Sequence, residues 1–276
     1  MITIEQAVKQ IKEMIENSIR KDGVAGKNNL IRTQEPVCLL HEVVKAEFIK
    51  LGISQRQVRP QLGSHKGECK LAGFFKYKNQ DVCILPKECE KKEELLGFDG
   101  ILSGKKDIYG AKYTERILSV NVRSQLSSMA KNFDTLYERT FAEALNLHLR
   151  CPKMVLGEFY MIPVYEYDDE AAEKKVVAFK SNENISKHIE KYLQSFGAIN
   201  NRDKDNNAEF KYERVCLLIV DFSKSTPKIY DSDKELKNDG LLPSNSKASI
   251  NKMNFSTFSK SLFDIYKSRF GSSFLI

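Results

Sequence analysis

The chain has 276 residues, 44 of them Lys or Arg and 37 Asp or Glu, for a formal net charge of +7. With 41% hydrophobic and 29% charged residues it is too apolar to stay disordered, and its length permits a large core. Its apolar runs, such as Val215 to Val220, fall far short of the roughly 20 residues of a membrane-spanning helix.

Met1 to Arg20 carries Glu5, Glu13 and Glu16 and has no apolar segment before a small-residue cleavage site, so a cytoplasmic location is expected. The six cysteines (Cys38, Cys69, Cys83, Cys89, Cys151, Cys216) lack C-x-x-C pairs and read as reduced, mostly buried side chains rather than disulfides or zinc ligands. The positive charge favours a polyanionic partner, because each neutralised phosphate releases a counterion.

In chain order, Thr3 to Arg20 has Ile4, Val8, Ile11, Ile15 and Ile19 at helical spacing. Thr3 and Gln6 are placed for a capping box, and Gly23 reads as a stop. Gly23 to Thr33 reads as a linker. A second helix begins near Pro36 and runs through Leu40, Val43, Val44, Phe48 and Leu51 to Gly52. Arg56 to His65 is basic and without helical period, which predicts a loop. Lys70 to Lys78 and Val82 to Pro86 read as two strands returning about Asn79-Gln80-Asp81.

Glu88 to Glu94 is a charged surface run, Ile117 to Val122 a buried strand, and Lys131 to Arg150 a helix with Phe133, Leu136, Tyr137, Phe141, Ala144 and Leu145. Met154 to Tyr167 predicts a long strand and Val176 to Phe179 a short one. Asn182 to Phe196 is a helix, and Asn200 to Asn207 a polar loop. Strands follow at Arg214 to Phe222 and Lys228 to Tyr230. A loop to Asn254 then leads to a last helix ending near Gly271. This order predicts an α/β or α+β fold with a central mixed β-sheet flanked by helices, divided into an N-terminal helical segment (1–55) and a larger domain (56–276).

Phosphate-loop, dinucleotide-turn and nucleophile-elbow motifs are absent. His41-Glu42 lacks the second histidine of a zincin, and Leu236 occupies the glycine position of a calcium loop begun at Asp231. What remains is Asp81 at the head of a strand, and the strand Ser119-Val120-Asn121-Val122-Arg123-Ser124-Gln125 leading into a helix. Carboxylates on adjacent strand ends, with a nearby cation, suit a hard divalent ion and a phosphate.

In this layout the chain resembles the PD-(D/E)xK superfamily of metal-dependent nucleases. The run N-V-R-S-Q-L-S-S-M-A-K-N-F-D-T-L-Y-E-R-T-F-A-E-A-L-N-L resembles type II restriction endonucleases most. The likeness spans about Glu68 to Asp168. It implies that Asp81 is the motif aspartate opening the second core strand and that Asn121-Val122-Arg123 stands at the (D/E)-x-K triplet, with a helix after it. Asn121 adds no charge where the family has an acid. Arg123 can clamp a phosphate but cannot shuttle a proton near neutral pH. Some family members take the missing acid from the following helix. Glu138 is the preferred substitute here, with Glu143 as the other candidate and Glu68 as an auxiliary metal ligand; Glu158 reads as an outward-facing strand residue.

The resemblance implies a Mg²⁺-dependent restriction endonuclease that cuts double-stranded DNA, forms a homodimer and is paired with a methyltransferase of the same specificity. Arg56, Gln57, Arg59 and Lys66, together with Gln125, are the expected DNA contacts, since Arg and Gln can form paired hydrogen bonds with base edges. The alternative is an inactive, DNA-binding subunit of the same fold in a restriction complex.

Overall fold

Thr3 opens the chain's first helix through the capping box its sequence encodes: its Oγ1 accepts from the Gln6 amide at 3.3 Å and its own amide donates to Gln6 Oε1 at 3.0 Å. In the computed structural model, which describes residues 1–97, 99–202 and 208–275, this helix, α1 (Ile4–Arg32), continues past Gly23. The stretch expected to be a linker is therefore helical. Gly23 adopts φ 64° and bends α1 rather than ending it, and a Cβ there would lie 2.9 Å from the carbonyl oxygen of Ala172. Beyond the bend, buried Lys27 pairs with Asp169 and anchors the second half.

Helix α2 (Glu35–Lys50) starts with Pro36 in its first turn. Strand β1 (Val58–Arg59) then occupies part of the stretch expected to be a loop. The ribbon β2 (Cys69–Ala72) and β3 (Tyr77–Gln80) precedes β4 (Val82–Ile84). The reversal expected at Asn79-Gln80-Asp81 lies earlier, at residues 73–76. Asn79 and Gln80 remain paired with Lys70 and Cys69, so Asp81 marks the step from the ribbon into the main sheet.

A second ribbon, β5 (Glu94–Leu95) with β6 (Lys106–Asp107), and the short α3 (Ala111–Thr114) lead to β7 (Leu118–Ser124), α4 (Met129–His148) and β8 (Val155–Pro163). Then come α5 (Asp169–Glu173), α6 (Ile185–Ala198), β9 (Arg214–Asp221), β10 (Lys228–Tyr230), α7 (Asp233–Asn238) and α8 (Phe255–Phe270). The strand expected at Val176 to Phe179 is reduced to one bridge, Tyr167 to Phe179. The loop expected before Asn254 contains α7, which is capped by Ser232. Of the polar loop expected over Asn200 to Asn207, residues 203–207 lie outside the described residues.

The main sheet has six strands in the order β1-β4-β7-β8-β9-β10. The pairs β1/β4 and β4/β7 are antiparallel, β7/β8 and β8/β9 parallel, and β10 runs against β9. The chain is thus α/β with a mixed sheet between helical layers. Val82, Val120, Val122, Phe159 and Leu218 point into one core with α1, α2 and α8; Cys83, Leu156, Tyr160 and Leu217 point into another with α4, α6 and α7. Each buried Ile of α1 contributes roughly 1.5–3 kcal/mol, and that core is continuous with the sheet. The boundary expected at residue 55 therefore falls within a shared hydrophobic core. Among the described residues no helix is long and apolar enough to cross a membrane.

Candidate functional site

Strand alternation sends Asp81, Asn121, Arg123 and Glu158 to the α4 side of the sheet, opposite Val82, Val120 and Val122. Asp81 Oδ2 accepts from the Val122 amide at 2.8 Å. This one bond links the head of β4 to the middle of the Asn121-Val122-Arg123 triplet. Burial pushes the Asp81 carboxyl up to about 6; the Val122 amide and Arg123 oppose that rise, while Glu143 and Glu68 add to it.

Arg123 stands at the centre of the cluster. Its Nη1 donates to Thr140 Oγ1 at 2.6 Å and to Glu158 Oε1 at 3.0 Å, and its Nη2 donates to Glu143 Oε2. Burial works against its charge, but Glu158, Glu143 and Asp81 hold it protonated, above the usual guanidinium range. Glu158, expected to face outward, is fully buried because both faces of β8 are covered by helices. Burial lifts its carboxyl to about 8, Arg123 works to lower it, and Glu143 and Asp81 raise it further. Its Oε2 has no hydrogen-bond partner.

On α4 the structure brings Glu143 rather than Glu138 to the strands. At 3.6 residues per turn, Thr140 and Glu143 share the inward face, and Glu138 lies about 140° from Glu143 on the exposed side. The preference for Glu138 is corrected accordingly. Glu143 also pairs with Lys78 at 2.9 Å and accepts from Gln80 Nε2 at 3.5 Å, and Gln80 Oε1 accepts from Ser119 Oγ at 2.6 Å. Asn121 is buried and donates from Nδ2 to Tyr212 Oη at 3.4 Å, and Tyr212 in turn donates to the Thr140 carbonyl. Glu68 is half-buried, near enough for its charge to act on Asp81.

Lys78, Gln80, Thr140 and Tyr212 thus join the site, although none is among the expected site residues. The i, i+3 spacing of Thr140 and Glu143 was the one legible signal. His41 of α2 is buried with Nε2 unpartnered, and burial followed by the charges of Lys45 and His65 pulls its imidazole down to about 4. Beside Arg123 a cleft of about 270 Å³ is lined by Thr33, Val122, Ser124, Leu136, Arg139 and Tyr160. Among the described residues no cluster of three His, Cys, Asp or Glu side chains is arranged to hold a metal ion.

The expected DNA contacts divide in two. Arg56 and Lys66 are exposed, and Arg59 is half-buried with Nη1 on the carbonyls of Arg56 and Val58. Gln57 and Gln125 are buried and engaged internally, which corrects their assignment as base readers. Gln57 Nε2 donates to the carbonyls of Leu85 and Phe274. Gln125 Nε2 donates to those of Ser128 and Met129, and its Oε1 accepts from Tyr160 and Tyr192.

Compared with protein-family models, curated proteins and solved structures, the chain matches none. The functional reading therefore stands on this cluster of buried charge. Asp81, Glu143 and Glu158 supply three carboxylates around one guanidinium, next to an open cleft. Chemically, two of these carboxylates can meet the minimum for a hard cation, and the guanidinium can bind a phosphate or tie the strands to α4.

Proposed function

We propose that the protein is a PD-(D/E)xK-like, restriction-type endonuclease that hydrolyses double-stranded DNA. The observation that carries this reading is the Asp81–Val122 hydrogen bond, which sets the aspartate at the head of β4 beside the triplet of β7. The element order around it supports the same reading: the aspartate immediately precedes β4, β7 carries the triplet, and α4 follows. The net charge of +7 suits a polyanion.

Mg²⁺ requires few protein ligands, commonly one or two carboxylates with phosphate and water completing the shell. The donor set fits that minimum: Glu158 Oε2 is a buried carboxylate oxygen without a partner, and Asp81 gives only Oδ2 to a protein hydrogen bond. Asp81 and Glu158 would hold the ion, Glu143 would keep Arg123 and Lys78 beside it, and Mg²⁺ would act as a Lewis acid toward a phosphate oxygen. Arg123, which lines the cleft and also engages Glu143 and Glu158, would meet a phosphate there, and Arg139 lines the same opening. A homodimer would suit a palindromic site.

The test is incubation of the purified chain with unmethylated DNA and Mg²⁺, against Asp81→Ala. Discrete fragments from the wild type alone support the reading, and wild-type inactivity on varied DNA despite tight binding counts against it. The second reading, a nuclease-fold DNA-binding subunit without activity, is favoured by the Arg123 guanidinium itself, which already engages Glu143 and Glu158. Cleavage that appears only on adding a partner subunit would select it.

A further inference from the structure

The β2–β3 ribbon that ends at Asp81 turns through Gly73-Phe74-Phe75-Lys76, a reversal with two consecutive aromatics where turn chemistry favours Gly, Asn, Asp or Pro. The turn is fastened to α4. Asn146 Oδ1 accepts from the amides of Phe75 at 2.7 Å and Lys76 at 3.1 Å, its Nδ2 donates to the Lys76 carbonyl at 3.1 Å, and its own carbonyl accepts from the Phe74 amide at 2.7 Å. A Cβ at position 73 would run into the Asn146 amide, so glycine is what permits this approach. Arg150 adds a bond to the Ala72 carbonyl. The backbone is thus satisfied by the protein, while Phe75 stays 51% exposed and its ring meets Phe74 edge-to-face at 5.1 Å.

A rigid backbone presenting an exposed aromatic ring has the form of a wedge, because apolar side chains held this way can part stacked bases. The segment that carries it is basic: Lys66, Lys70, Lys76 and Lys78 stand against Glu68 alone between residues 66 and 80, with Lys78 paired to Glu143. The ribbon is also continuous with the site, since β3 runs from the turn to Asp81 and Lys78 reaches Glu143. Six residues of extended chain span at most about 20 Å, so the tip lies within about six base-pair steps of anything bound at Asp81.

We infer that the Phe75 tip is a wedge that enters the base stack of duplex DNA bound at the Asp81 site. This inference rests on the DNA reading above. Unstacking an intact step costs a few kcal/mol, and a mismatch has already lost part of that stacking. A wedge protein therefore binds a mismatched duplex more tightly than its matched counterpart.

The experiment compares binding of a fluorescein-labelled duplex, with and without a central T·T mismatch, in metal-free buffer. It uses the wild type, Phe75→Ala and Phe75→Leu, with circular dichroism and size-exclusion chromatography of each. The expected result is an affinity about tenfold higher for the mismatched duplex in the wild type, lost in Phe75→Ala and largely kept in Phe75→Leu, while the salt dependence on matched DNA is unchanged. Equal binding of both duplexes by the wild type overturns the wedge and leaves the DNA reading standing. Absence of binding to either duplex overturns both. A change of oligomeric state in folded Phe75→Ala with no change in duplex preference assigns the tip to self-association and also overturns the wedge.

Discussion

Arg123 Nη1 lies 3.0 Å from Glu158 Oε1, and the other oxygen of that fully buried carboxylate has no partner. The guanidinium is thus the hydrogen-bond partner that Glu158, lifted by burial to about 8, has on β7. Arg123→Ala leaves buried acceptors of Glu158, Glu143 and Thr140 unsatisfied and is expected to cost about 1–3 kcal/mol of stability. Arg123→Lys keeps the charge but loses the fork that reaches Glu143, Glu158 and Thr140 together, so a smaller loss of stability and some residual cleavage are expected. Urea midpoints at neutral pH, with cleavage on the same preparations, separate the two effects.

On the nuclease reading, Asp81→Ala should abolish cleavage while leaving DNA binding largely intact, because phosphate contacts elsewhere position the duplex. Glu143→Ala should lower cleavage at least a hundredfold, equivalent to about 2.7 kcal/mol of barrier, whereas Glu138→Ala should stay within about twofold of wild type. Initial rates at saturating DNA measure this ranking. Equal activity of Asp81→Ala and wild type would remove Asp81 from the site.

The ranking of the two glutamates shows what the sequence could convey. Helical periodicity located α4, but that its buried face carries Thr140 and Glu143 onto Arg123 is a non-local fact of how the helix packs on the sheet. Likewise the Thr3 capping box was readable because it is local, whereas Gly23 was misread as a stop because its bend is supported by α5, far along the chain. Asp81 was legible as a strand-head aspartate. Its Val122 partner was not, since pairing of β4 with β7 is non-local. Gln57 and Gln125 looked like base readers in a basic sequence, yet their amides complete backbone bonding inside the fold.

DNA binding on the proposed reading should weaken steeply with salt, and its log–log slope should fall by about 1 for each lysine or arginine phosphate contact removed. Arg56→Ala and Lys66→Ala are expected to lower that slope without loss of stability, since both side chains are exposed. Gln57→Ala should instead lower the melting temperature with an unchanged slope. Fluorescence anisotropy over a salt series and thermal melts give the two readouts, and a wild-type affinity indifferent to salt would speak against a nucleic-acid partner.

The cysteines form no disulfide, and all except half-buried Cys89 are buried. Thiol titration should find six reactive groups in denaturant. The native protein should react at Cys89 first and slowly at Cys151 and Cys216, whose thiols burial raises so that their thiolates are disfavoured. Peptide mapping after brief labelling identifies the first site.

Glu213 is a fully buried carboxylate that ties the head of β9 to four other parts of the chain. It accepts from Arg269 at 2.7 Å, Arg202 at 3.1 Å and the Leu156 amide at 2.7 Å, and His148 Nε2 lies 3.4 Å away. Burial alone would raise its carboxyl, but His148, Arg269 and the Leu156 amide outweigh that and hold it down at about 2. A carboxyl depressed in the folded state stabilises the fold above its unfolded value, about 4.3, and loses that contribution as pH falls toward 2. The linked term is roughly 3 kcal/mol. Wild-type urea midpoints should therefore drop between pH 5 and pH 3 more than those of Glu213→Gln. The Gln variant should already be less stable by about 3–5 kcal/mol at pH 7, because its arginines are left buried without a counter-charge. An equal acid sensitivity of the two proteins would show that Glu213 does not carry this linkage.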